Sequence, residues 1–217
     1  MHTPQHPHDP DSSQPSATDS VRLRRLNRWQ AEDLREDLAD LYVESSTVPS
    51  GEEFRGRQEF LLRLAHDVQQ PGFDMLVAET EALAGCAYGV PVPRDGSWWQ
   101  GFDGPLPQNL EQLTASGHVF AITETLVHPH EDALGVARRL QERLLADHQA
   151  SLGATLIDQA DHSAFAAFAA WGWQEIGQVH RPSPAPTVLR VMVLPLGART
   201  TEHPDGLAHN AGTQRPE

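Results

Sequence analysis

The sequence predicts an α/β domain built on a mixed, partly parallel twisted sheet with helices on both faces. Three observations predict it. Some segments place apolar residues on one helical face, and others are short apolar runs of strand length. These run in the order strand, two helices, three strands, helix, strand, helix, strand. Helix and strand alternate only in the second half, so parallel pairing is expected only there.

Taken in order, "VRLRRL" (21–26) alternates apolar with basic, as a half-buried strand does. "QAEDLREDLADLYVESS" (30–46) puts Leu34, Leu38, Leu41 and Tyr42 on one helical face. Residues 51–70 repeat that pattern with Phe54, Phe60, Leu61, Leu64 and Val68, and Pro71-Gly72 stops it. "FDMLVAE" (73–79) and "ALAGCAYGVPV" (82–92) read as a hairpin. Residues 93–118 are loop-like, with a short helix at 108–115. In that loop Trp98-Trp99 either cap the core or line a cleft. "VFAITETLV" (119–127) is a strand, and Val136, Leu140 and Leu144 mark a helix from Gly135 to about Gln149. "ATLIDQ" (154–159) is a strand, "SAFAAFAAWG" (163–172) a helix ended by Gly172, and "VLRVMVLPL" (188–196) the closing strand.

The chain has 217 residues, with 30 acidic against 16 basic side chains and a formal charge of -14. A nucleic-acid partner would need a basic face, so none is expected. The charge mildly favours a cationic substrate through steering, and solubility alone is the plainer reading of it. One cysteine, Cys86, allows no internal disulfide, which fits a reducing cytoplasm. No run approaches a membrane span and no secretory signal is visible, so neither membrane nor export is expected. Residues 1–20 and 198–217 are too polar to offset their ordering entropy and are expected to be disordered. That leaves one folded domain over 21–197. His2, His6 and His8 in the first tail have no compact ligand set around them, and no metal site is expected.

The strand-to-helix junction in "TETLVHPHEDALGVARRLQERLL" (123–145) carries the functional signal. Free N–H groups at a helix start, aided by the helix dipole, can hold an anion such as a diphosphate. Gly135 permits close approach, Ala137 is small, and Arg138 and Arg139 could meet an outlying phosphate. Most such junctions hold nothing, so physics alone leaves the matter open.

The spacing resembles the acyl-CoA loop of the GNAT superfamily of N-acetyltransferases. There V-x-P is followed by Arg/Gln-x-x-Gly-x-Gly/Ala and a helix. Val127, Pro129, Gly135 and Ala137 fall at the matching places. "DHSAFAAFAAWGWQEIG" (161–177) resembles the second motif through Ala164, Phe168, Gly172 and Trp173. "ALAGCAYGV" resembles the strand before the central one. The resemblance covers most of 21–197. The WGW-x-x-x-G ending and "VMVLPL" look like a bacterial, actinomycete-type subset.

The resemblance implies a GNAT-like fold with acetyl-CoA as co-substrate. Its diphosphate would lie on the amides of Asp132, Ala133, Leu134, Gly135, Val136 and Ala137, with Arg138 following and Asp161, Ala164 and Phe168 from the second motif. Pantetheine would lie between strands 119–127 and 154–159. The acceptor would be a primary amine of a small molecule or peptide, attacking the thioester directly. Glu124 is the candidate general base: an alkyl ammonium must lose a proton first, and an apolar setting among Phe120, Ile122 and Leu126 would raise the carboxyl's pKa. A glutamate paired with an arginine at a sheet end is the other reading. A backbone N–H near Leu126, Val127 or His128 would meet the oxyanion.

Four departures from the pattern stand out. Asp132, beside Glu131, holds a place that is usually Arg or Gln. Phe168 replaces a tyrosine that would protonate the thiolate, and phenylalanine has no proton to give. Asp161 replaces an asparagine, and Phe165 stands where a basic residue is common. An acyl-CoA-binding protein without turnover is therefore the alternative. Cys86 reads as core, Ser163 as an N-cap, and His128 and His130 as loop residues. The acceptor's identity and the oligomeric state, a homodimer included, stay open.

Overall fold

The computed structural model describes residues 21–45, 51–130, 132–182 and 186–197. Both terminal segments expected to be disordered, with their histidines, lie outside the described residues, as does Glu131. In chain order the described elements are β1 (Arg22–Leu26), α1 (Arg28–Asp33), α2 (Arg35–Ser45), α3 (Glu53–Asp67), β2 (Asp74–Glu79), β3 (Leu83–Pro91), α4 (Gln108–Ser116), β4 (Val119–Val127), α5 (Ala133–Ala146), β5 (Leu152–Asp158), α6 (His162–Ala170), β6 (Gln174–Arg181) and β7 (Thr187–Pro195). No helix among the described residues is long and apolar enough to cross a membrane.

The strands form one seven-stranded sheet in the order β1-β2-β3-β4-β5-β7-β6. Only β4 and β5 pair parallel, and every other neighbouring pair is antiparallel. Alternation along the strands builds a core on each face. Met75, Val77, Cys86 and Tyr88 meet Leu38 and Leu41 of α2 and Phe60 and Leu64 of α3. Leu76, Ala78, Ala87, Phe120 and Ile122 meet Val136, Leu140 and Leu144 of α5. Cys86 is thus a core residue, and burial pushes its thiol pKa far up. Phe54, expected on the buried face of α3, sits in that helix's first turn and is 76% exposed.

The helix expected over 30–46 is two helices. Asn27 opens α1 with a capping box: its side chain accepts the Gln30 N–H at 3.0 Å, and the Gln30 side chain accepts the Asn27 N–H at 3.0 Å. Leu34, at ψ 7°, separates α1 from α2.

β6 went unseen in the sequence pattern. Gly177, at φ +150°, lies in a register shift that breaks the alternation, and Val179 is the strand's one buried residue. The loop after β3 covers the edge of β6: the His180 N–H donates to the Gly101 carbonyl at 2.8 Å, and the Asp103 N–H to that of Gln178 at 2.9 Å. Trp99 is buried in this loop, its indole N–H donating to Thr114 Oγ1 at 2.9 Å. The Trp98-Trp99 pair caps a third apolar cluster with Leu110 of α4.

Candidate active site

The site is shaped by one irregularity in β4. Against β3 the register pairs Ile122 with Gly89 and then Glu124 with Tyr88, which leaves Thr123 over as a bulge. One extra residue turns the following side chains to the opposite face. Phe120 and Ile122 therefore pack toward α5, whereas Leu126 packs toward α2 and α3 and Glu124 pairs with Arg63 of α3. The expectation that Glu124 shares a face with Phe120 and Ile122 is thereby corrected; only Leu126 lies with it. Gly89 has to be glycine, because the Ala121 carbonyl occupies the place of any Cβ there.

Just past that point β4 and β5 part. Their pairing ends at Ile122 and Thr155, where the Thr155 hydroxyl donates to the Ile122 carbonyl at 3.0 Å. The opening is a cleft of about 240 Å³ lined by Glu124, Thr125, Leu156, Asp158, Asp161, Ala164 and Phe168, among others. A second cleft of about 440 Å³ shares five of those residues and runs on past Leu126, Val127, Ala133, Leu134, Ala137 and Gln141. Strand N–H groups point to alternate sides. The His128 N–H donates to the Ala84 carbonyl of the β3 side at 2.9 Å, so the Val127 N–H points the other way, toward the gap.

Glu124 sits where the two clefts meet, its side chain 26% exposed. Its carboxyl pKa is pushed up to about 7, chiefly by loss of water contact, with the Arg63 guanidinium acting to lower it and Asp67 to raise it. Arg63 Nη2 lies 3.9 Å from Glu124 Oε2. Glu124 is thus a carboxyl of raised pKa that also has an arginine within 3.9 Å. Tyr88, its cross-strand neighbour, is buried with a hydroxyl that has no partner among the described residues.

At the start of α5 the Asp132 N–H donates to His130 Nδ1 at 3.1 Å, and the Ala133 N–H to the His130 carbonyl at 3.1 Å. The Val136 N–H closes the first turn on the Asp132 carbonyl at 3.1 Å. The N–H groups of Leu134 and Gly135 have no acceptor among the described residues. Asp132 makes no capping bond; its carboxylate lies over Gly135, where it would collide with any Cβ, and its Oδ2 is buried with no partner among the described residues. Val136 faces the core rather than a cleft. Arg138 turns to Glu142 at 3.0 Å, and His128 lies 3.4 Å from Glu44.

Solved structures share this architecture. An aminoglycoside 6'-acetyltransferase type Ii aligns at TM-score 0.56 and 12% identity, over 81% of this chain and 97% of that one. The corresponding figures are 0.51, 17%, 81% and 99% for a Desulfovibrio desulfuricans protein placed in the GNAT family. For the ribosomal-protein-S18-alanine N-acetyltransferase from Escherichia coli they are 0.51, 13%, 81% and 93%. The chain has the GNAT fold. No family profile and no curated protein matches its sequence. Nothing in these likenesses narrows the fold to the actinomycete-type subset that the closing motif suggested.

Within this GNAT fold α6 forms one wall of the larger cleft. It is strongly apolar yet has no fully buried residue, because Ala164, Ala167 and Phe168 line open space with the neighbouring Trp171. Its N-cap is Asp161, whose Oδ1 accepts the Ala164 N–H at 2.8 Å, and not Ser163. Glu124, Leu126, Val127, Ala133, Leu134, Ala137, Asp161, Ala164 and Phe168 therefore come together around one cavity. Sequence reasoning missed Tyr42, Gln141 and Trp171 on the cavity wall, and Arg63 and Asp67 behind Glu124. Gln141 alone carried a signal, as an amide on the apolar stripe of α5; its Nε2 donates to Thr125 Oγ1 at 3.2 Å.

Proposed function

We propose that the chain is an N-acetyltransferase that moves an acetyl group from acetyl-CoA to a primary amine of a small molecule or peptide. One observation carries this reading: the gap between β4 and β5, with the carboxyl of Glu124 at its mouth. The gap suits a long, narrow arm, and the unburied apolar wall of α6 suits a ligand that would cover it. The Leu134 and Gly135 amides are two donors for a diphosphate. Bound acetyl-CoA would supply the activated acetyl thioester. Glu124 takes a proton from the acceptor's ammonium, directly or through water, and so frees the nitrogen lone pair; a carboxyl near pKa 7 is matched to that task at neutral pH. The Val127 N–H, facing the gap, is the donor placed to meet negative charge on the carbonyl oxygen.

A second reading, acyl-CoA binding without turnover, is favoured by two residues. Phe168 brings no proton to the cleft. The carboxylate of Asp132, whose Oδ2 has no partner among the described residues, stands over the Gly135 amide a diphosphate would use. Thermal melting with and without millimolar CoA, followed by thiol release from acetyl-CoA with a panel of cationic amines, separates the readings. Stabilisation plus amine-dependent thiol release supports the transferase. Stabilisation without release from any amine supports the binding protein, and no stabilisation sinks both.

A further inference from the structure

The charged groups behind Glu124 have no part in the chemistry above, yet they are arranged around its carboxyl. From α3, Arg63 reaches to 3.9 Å of it and lies over the faces of Tyr42 and Phe60, at 5.4 and 6.0 Å from the ring centres. Tyr42 and Phe60 themselves stack at 4.8 Å, so the guanidinium rests on a two-ring platform. Asp67 lies one turn along the same helix, half-buried, and acts on Glu124 with the opposite sign. From β3 come Tyr88 and Cys86, both buried and neutral. From the cleft side come Asp158 and Asp161, whose carboxylates accept the Ala160 and Ala164 N–H groups at 2.8 Å each. Arg63 is thus the one cation facing Glu124 among these groups, and it is held by stacking instead of by a close ion pair.

We propose that Arg63 is a positioning residue for Glu124 and that Asp67 is its counterweight, the two charges of α3 together setting how much of Glu124 is ionised at neutral pH. The inference deepens the reading of Glu124 as general base and rests on it. Its physical content is a difference in sign. Removing the cation leaves Glu124 facing only like charge and neutral burial, which favours the proton. Removing Asp67 relieves repulsion and favours the carboxylate.

The test reads Glu124 directly. Carboxyl ¹³C shifts of the ligand-free protein are titrated, with the Glu124 signal assigned by its loss in Glu124→Gln. Arg63→Met should move the midpoint up by about one pH unit, Asp67→Asn should move it down, and Arg63→Lys should restore part of the first shift. The acid limb of the pH–rate profile should follow in each variant. An unmoved midpoint in Arg63→Met, or shifts of one sign in Arg63→Met and Asp67→Asn, overturns the proposal whatever the activity. Midpoints that move as expected beneath an unmoved rate profile uphold the tuning and remove Glu124 as the base. Should Arg63→Met fail to fold, Arg63→Gln and Asp67→Asn carry the same contrast.

Discussion

A carboxyl kept from water stabilises the fold only while it holds its proton. Glu124 has a folded pKa of about 7, above the ordinary carboxylate value, so folded protein binds a proton that unfolded chain releases. Between those two values stability falls as pH rises, and above about 7 the loss is complete. Glu124→Gln has nothing to ionise. The variant should match the parent near pH 4.5 and exceed it at pH 8 by about 1–3 kcal/mol, a range discounted for the part of the side chain that meets water. Denaturant melts at the two pH values check this. The same variant should lose turnover at neutral pH, and raising the pH should restore part of it as more acceptor amine becomes neutral unaided. Gain of stability with loss of rate is the mark of a strained functional group, whereas loss of both would make Glu124 structural.

At the scale of elements, the bulge in β4 decides which groups face the cleft. Gly89 opposes it, with the Ala121 carbonyl in the place a methyl would take. Because the obstructing atom is backbone, Gly89→Ala cannot be relieved by a side-chain rotation. It should cost roughly 1–3 kcal/mol of stability, the range for overpacking, and should lower activity by re-aiming Glu124. A fully stable, fully active variant would mean that the bulge does not hold the site. This bulge also marks where sequence reading stops. Periodicity found most of the apolar faces of α2, α3 and α5 and six of the strands, because burial writes itself into alternation. It could not place Thr123, since a single unpaired residue leaves the run "VFAITETLV" looking regular while reversing its faces. β6 was invisible because an edge strand covered by a loop needs only one buried residue. The motif residues of the cavity were legible because they are local in sequence. Arg63 and Asp67 were not, because their meaning depends on a helix docking beneath a strand far along the chain.

The whole molecule carries a formal charge of -14, and its two proposed substrates carry opposite signs. The same field that draws a cationic amine toward the mouth of the cleft repels the anionic coenzyme. Salt shortens the reach of that field, so the two substrates should respond in opposite directions. Raising ionic strength from about 20 to about 300 mM should lower kcat/KM for a cationic acceptor several-fold and raise it for acetyl-CoA. Steady-state rates with each substrate varied in turn read both slopes from one preparation. Ion-specific damage to the fold would depress the two together, so the crossing of the slopes is what identifies steering. Parallel slopes, or none, would leave the negative charge serving solubility alone and would put the choice of acceptor entirely in the walls of the cleft.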